Sequence, residues 1–386
     1  MAIPPPGMDL SGKMGMVRMM TRTFVTAIAV LMAAQIGDSN VAAQQNVVAL
    51  KVNGEFEGKK PGKPAKDLSG VACMPPRSDG SQLCLFVNDE SRHAQFGIVR
   101  NGTITPGQIL PLIGEEASEK TLGTPPQTQC PVDEGEFAEF DGEGVAYAEP
   151  YFYVVGSHGC SRRGGEFRLS SFLLARIRVD TDGRPAGPDG KPLSVDDWQD
   201  AVETTYRLSD YLAKADKAGA FFGKSLDETE NGLNIEGLAV DGRRVLAGLR
   251  APALSDAAYI VAADITDLFR SGSARAKGKA EVMALKLGKT IGIRDLASLP
   301  DGRLLVLAGP AQDQALPYQL FLVAPGKGAK PKPLAEVEPI ESEDEDEPVK
   351  AEAIAVLGAD AGELRVLVLF DGISDGAPRE VRVRLD

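Results

Sequence analysis

The chain has 386 residues, 43% of them hydrophobic and 25% charged, and a formal net charge of −13. That apolar fraction is too high for a disordered chain, and the negative charge excludes nucleic acid as a partner, because no basic face is available to displace phosphate counterions. With only His93 and His158 as histidines a multi-histidine metal site is excluded, and neither an HExxH nor a Walker A pattern occurs.

Residues 1–43 read as an export signal. Lys13, Arg18 and Arg22 precede an uncharged apolar stretch at 24–34, and Val41-Ala42-Ala43 supplies the small residues a signal peptidase needs, with cleavage before Gln44. The stretch is shorter than the roughly 20 residues of a bilayer span. No later segment is apolar enough to be one, so the mature chain is expected to have no membrane span and to be periplasmic or secreted. Residues 44–386 are then expected to be one domain. Its four cysteines, Cys73, Cys84, Cys130 and Cys160, are an even number, as an oxidising compartment favours. Four cysteines allow three pairings. Cys73 and Cys84 flank a turn-rich segment between two short apolar runs, so one hairpin would bring them together. Cys130 would then pair with Cys160.

Glycine (42) and proline (26) are plentiful and aromatics are 6%, a balance that fits many short strands. A unit recurs along the chain. A polar or acidic residue opens a small apolar strand, a turn follows, and a more hydrophobic strand ends in polar residues. The openings are Leu68-Ser69-Gly70-Val71-Ala72, Gly142-Glu143-Gly144-Val145-Ala146, Ile235-Glu236-Gly237-Leu238-Ala239, Arg294-Asp295-Leu296-Ala297 and Ala351-Glu352-Ala353-Ile354-Ala355. Such a repeat, with about four strands per unit, predicts an all-β fold, a five-bladed β-propeller.

The remaining strands follow. Residues 95–100 and 108–112 complete the first blade, 259–264 and 281–287 the third, and 318–323 with a weak 332–336 the fourth. The last unit ends at 381–385, one strand short, and residues 46–52 are expected to close the ring there. The stretch 180–231 reads as an insertion with helical pieces at 195–202 and 210–220; a sixth blade inside it is the alternative. Residues 336–347 carry eight carboxylates in twelve positions, most simply a solvated loop.

Five stretches carry a family resemblance: Gly156-Ser157-His158-Gly159-Cys160-Ser161-Arg162-Arg163-Gly164, Asn234-Ile235-Glu236-Gly237-Leu238-Ala239, Leu249-Arg250-Ala251-Pro252, Gly292-Ile293-Arg294 and Ala308-Gly309-Pro310-Ala311. Together they resemble the bacterial family called domain of unknown function 3616, over roughly residues 60–375. The resemblance implies a propeller-like all-β fold and no established activity. More distantly, the Glu-Gly-(Val/Leu)-Ala openings are similar to those of esterase-like phytase propellers, with Ser69 departing from the acidic pattern in the first blade.

In a blade, the first strand lines the central channel, and its start shares a face with the end of the second strand. Glu143, Glu236, Asp295 and Glu352 are therefore expected at one channel rim with Asp89, Glu90, His158, Arg250 and Asp371. Crowded carboxylates raise one another's pKa, so either a cation sits there or Arg162, Arg163, Arg250, Arg294 and Lys350 neutralise them. The structural alternative is that acidic openings bond backbone N–H groups of the next blade. In the Gly156–Gly164 loop, Arg162 and Arg163 suit a phosphate or carboxylate, or are two solvated arginines. Ser157 and His158 are adjacent and would face opposite sides of a strand, which argues against a local nucleophile pair.

Two readings result. In the first, the rim binds a polar small molecule, a cation or a protein partner. In the second, Glu143, Glu236, Asp295 and Glu352 hold a metal ion for a phosphoesterase or esterase, with His158 as its acid–base group. Oxygen-rich ligation would suit Ca²⁺ or Mg²⁺ and not Zn²⁺.

Overall fold

Small residues such as Val71-Ala72 and Val145-Ala146 let five strands crowd around one axis, and each opening motif forms the innermost strand of a sheet. The structure is a computed structural model that describes residues 46–385 apart from 60–61, 133–136, 162–163, 327, 343–348 and 361. Two short strands, β1 (Asn46–Ala49) and β2 (Lys51–Val52), precede the first blade, which holds β3 (Leu68–Cys73), β4 (Gln82–Asn88), β5 (His93–Arg100) and β6 (Thr103–Pro111). The second blade holds β7 (Gly142–Ala148), β8 (Tyr151–Gly156), β9 (Leu174–Arg178) and β10 (Val202–Thr205). After helix α1 (Arg207–Leu212) come β11 (Asn234–Asp241), β12 (Arg244–Ala251) and β13 (Ala257–Asp264), then α2 (Ile265–Leu268) and β14 (Glu281–Lys286) as the outer strand of the third blade. The fourth comprises β15 (Ile291–Ser298), β16 (Leu304–Pro310), β17 (Tyr318–Val323) and β18 (Lys332–Val337), and the fifth comprises β19 (Lys350–Asp360), β20 (Glu363–Asp371) and β21 (Arg379–Arg384), with β1 as its outer strand. The innermost strands pack in a closed ring: β3 on β7, β7 on β11, β11 on β15, β15 on β19, and β19 on β3. The fold is a five-bladed β-propeller.

The closing segment differs from the single strand predicted at 46–52. Asn46 lies opposite Arg382 and Ala49 opposite Arg379, completing the fifth blade. The chain then turns at buried Leu50, and Lys51–Val52 run parallel to β6 of the first blade. The segment thus stitches across the seam between the first and last blades, covering two edges instead of one.

The insertion adds an outer strand and no further blade. Trp198, on the 3-10 helix Val195–Ala201, packs edge-on against Phe96 of the first blade at 5.7 Å between ring centroids. The chain then forms β10, which pairs with β9, and α1 follows. Among the described residues there is no sixth four-stranded sheet. Both predicted disulfides are formed. Cys73 and Cys84 are direct partners across β3 and β4, and Cys130–Cys160 ties the segment before the second blade to the loop after β8. No helix among the described residues is long and apolar enough to cross a membrane.

Candidate functional site

Every blade carries a β-bulge at the same place on its innermost strand. Gly142 pairs with Gly156 and Gly144 with Val155, so Glu143 has no partner across the ladder. Ser69, Glu236, Arg294 and Glu352 are skipped in the same way. A bulge leaves one residue unpaired and re-aims its side chain; here five bulges form one ring. Glycine follows the bulge in the first three blades because the next blade crosses close by. A Cβ at Gly144 would lie 2.9 Å from the Leu238 backbone nitrogen, and one at Gly70 would lie 2.9 Å from the Glu143 carbonyl.

The ring corrects the expected alignment of the fourth blade. Arg294, not Asp295, occupies the position of Glu143, Glu236 and Glu352. Asp295 takes the place of the glycine, and its carboxylate faces the blade junctions. It accepts from Leu296 N and from Ile354 N of the fifth blade, both at 2.7 Å, and from Leu238 N of the third. The alternative of acidic groups that hold blades together therefore describes Asp295, whereas the glutamates do something else.

Arg294, 1% exposed, lies between Glu236 and Glu352. It ion-pairs with Glu236 at 2.9 Å and contacts both carboxylate oxygens of Glu352. Burial disfavours its charge, but the two glutamates outweigh that and raise its pKa. Arg250, at the end of β12, donates to Glu236 Oε1 at 2.5 Å and to the Ala311 carbonyl at 3.0 Å. Lys350 pairs with Asp371 at 2.9 Å. These cations engage Glu236, Glu352 and Asp371.

Glu143 receives none. It is 8% exposed and makes no side-chain hydrogen bond or ion pair with the described residues. It faces a cavity of about 340 Å³ that Asp89, Asp141, Asn234, Arg250 and Lys350 also line. Burial raises the Glu143 pKa well above the usual carboxylate range, and Glu236, Asp141, Asp89 and Glu352 push it further. Burial likewise raises Asp89, with Asp371 and Asp141 adding to it, and brings Asp141 to about 6 despite a hydrogen bond from the Ser157 hydroxyl. A second, smaller cavity is lined mainly by apolar residues such as Val71, Val145 and Ala355, with Tyr147 and Ser298 among them.

His158 lies elsewhere. It is fully buried at a left-handed backbone position (φ 51°) and does not line the cavity. Its Nδ1 is 2.9 Å from the Gly156 carbonyl, which only accepts, so Nδ1 carries the proton. Burial lowers its pKa to about 4, leaving the ring neutral, packed near Phe172. The placement does not suit the acid–base role expected of it. Arg162 and Arg163 lie outside the described residues. Among the described residues, no group of three or more His, Cys, Asp or Glu is spaced to hold a metal ion. Glu143, Glu236, Asp295 and Glu352 do not converge as the metal reading requires, because arginines separate two of them and Asp295 points away. Sequence reasoning missed Asp141 and Asn234; the one available signal was their shared position two residues before the opening glutamate.

Asp89, Asp141 and Glu143 bind protons more tightly folded than unfolded. Their contribution to stability is full below the ordinary carboxylate range and is lost as pH rises through the folded values, near pH 6 for Asp141. Each titrating group contributes a slope of at most about 1.4 kcal/mol per pH unit. Urea unfolding midpoints should therefore fall between pH 5 and pH 7.5, and Glu143→Gln should flatten that fall. An unaltered slope in the variant would place the protons on other groups.

Fold and site together define a five-bladed propeller whose channel mouth joins an arginine–glutamate ring to an unpaired acidic cavity. The chain belongs to the family described as Protein of unknown function (DUF3616), whose model matches residues 127–171 and 170–383. That match includes all five quoted motifs but, unlike the expected span of 60–375, leaves the strands of the first blade outside. No curated protein matches the chain. Similar solved structures include a glycosyl hydrolase from Bacteroides ovatus (12% identity, 83% of this chain and 84% of that one, TM-score 0.35). Another is the hydrazine synthase of Kuenenia stuttgartiensis (13% identity, 82% and 80% covered, TM-score 0.34). A putative 6-phosphogluconolactonase from Bacteroides uniformis is also similar (10% identity, 84% and 88% covered, TM-score 0.34).

Proposed function

We propose that the protein is an exported propeller that binds a polar ligand at its acidic channel mouth. The observation that carries this reading is Glu143. A carboxyl group held in a buried position without a protein partner lowers stability, and a ligand that hydrogen-bonds it offsets that cost. The metal-dependent esterase reading is less well supported, because Glu236 and Glu352 are engaged by arginines and His158 is sealed from the cavity. Saturation-transfer NMR on residues 44–386 with a mixture of small diols, diamines and hydroxy acids tests the reading. Transfer should be seen for at least one compound and disappear in Glu143→Leu. Calcium-stimulated hydrolysis of p-nitrophenyl phosphate or acetate that Glu143→Leu removes would favour the esterase instead.

Residues 1–43, which lie outside the described residues, act in this reading as a cleaved signal, and residues 44–386 act as one domain. Two disulfides suit an oxidising compartment. Edman sequencing of the chain expressed with residues 1–43 should begin at Gln44; a mature product still carrying residues 24–34 would overturn export by this route.

A further inference from the structure

We propose that the cavity takes an organic cation, a protonated amine or guanidinium seated among Asp89, Asp141 and Glu143 with the side-chain amide oxygen of Asn234. This rests on reading the mouth as a ligand site. Three observations favour this class. First, the side of the mouth formed by the first and second blades is anionic without compensation among the described residues. Glu143 has no described partner, Asp89 Oδ1 is buried without a hydrogen bond, and Asp141 receives one from Ser157 alone. The cations lining the cavity are committed elsewhere: Arg250 to Glu236, Lys350 to Asp371 and Arg168 to Glu139. Second, Asn234 is 5% exposed, lines the same cavity, and its Oδ1 has no hydrogen-bond partner. It is a neutral acceptor on β11, separate from the carboxylates, and adds to a set of groups that accept from an N–H donor. Third, the cavity, about 340 Å³, is much larger than an ion, and no described group of three ligands is spaced for a metal. An ammonium or guanidinium has several N–H donors and needs acceptors spread around it, whereas Ca²⁺ needs six to eight oxygens converging at about 2.3–2.6 Å.

Proton linkage follows from the same geometry. Glu143 faces Asp89, Asp141, Glu236 and Glu352, Arg168, Arg250 and Lys350 are the described cations lining the cavity, and burial favours protonation of this cluster. An arriving cation favours the ionised carboxylates, so binding should release protons near pH 6.

The test is calorimetric titration of residues 44–386 with 1,4-diaminobutane and with its neutral analogue 1,4-butanediol, at pH 6 in two buffers of different ionisation enthalpy, and separately with CaCl₂. The diamine should bind at least tenfold more tightly than the diol, with proton release. Glu143→Gln and Asp141→Asn should each weaken the diamine about tenfold while melting as cooperatively as the parent. Equal or tighter binding of the diol, lost in the same variants, would overturn the cation class and leave the polar-ligand reading standing. Calcium binding without diamine binding would overturn it in favour of a metal. If neither organic probe binds, or both variants bind as the parent does, the inference and the reading beneath it both fall.

Discussion

Arg294→Met should destabilise the protein by about 3–5 kcal/mol, the range seen when one partner of a buried ion pair is removed. The arginine is 1% exposed and stands between Glu236 and Glu352 on neighbouring blades. Methionine fills similar volume, so most of the loss comes from two stranded carboxylates. Arg250 still holds Glu236, which leaves Glu352 the more exposed to the loss. The stranded Glu352 escapes by protonating, so its folded pKa, already raised by burial, rises further once Arg294 is gone. A raised carboxyl contributes stability at low pH that is lost as pH increases, and the penalty should accordingly be smaller at pH 5 than at pH 8. Urea denaturation at both values checks this. A pH-independent loss would mean that methionine disrupts packing and that the charges matter little.

Arg207→Met should cost a similar amount, about 3–5 kcal/mol, for a different reason. Arg207 is fully buried at the start of α1 and serves carbonyl groups instead of a carboxylate. Its Nε donates to the Ala274 carbonyl at 2.8 Å and its Nη1 to that of Leu268 at 3.0 Å, with the Arg270 and Gly272 carbonyls also in contact. One guanidinium thereby fixes the segment that follows α2, and the fork of five donors is what reaches so many acceptors. Lysine, with three donors at one point, should recover only part of the loss. Amide exchange in residues 268–276 should accelerate in both variants. If the unfolding midpoint of Arg207→Met stays at the parent value, the freed carbonyls have found water and the cage is local to that loop.

The sequence carried the fold through patterns that are local. Each opening motif sets small residues where five strands meet, and each second strand is apolar on both faces because blades cover it from both sides; β4 and β16 are buried throughout. The two disulfides were readable for the same reason, since a hairpin placed Cys73 opposite Cys84 and left one pair over. Outer strands were harder. The β10 sequence Val-Glu-Thr-Thr is half exposed and four residues long, so it carries too little hydrophobic period to stand out from the insertion around it.

The site was legible in its residue types and not in its register. Glu143, Glu236 and Glu352 occupy equivalent bulge positions on their innermost strands, and Arg250 lines the cavity that Glu143 faces. Which residue faces the channel in the fourth blade turned on a one-residue offset, and a bulge is set by pairing with the neighbouring strand, which no local pattern records. That offset brought Arg294 into the ring and turned Asp295 to the blade junctions. It also decided which carboxylates are neutralised. By itself the sequence determined the all-β repeat, favoured five blades over six and placed a closing strand at the amino-terminal segment. Only the tertiary structure decided that Arg294 engages Glu236 and Glu352 while Glu143 is left facing an acidic cavity, because that charge compensation depends on distances between blades whose residues are 58 apart along the chain.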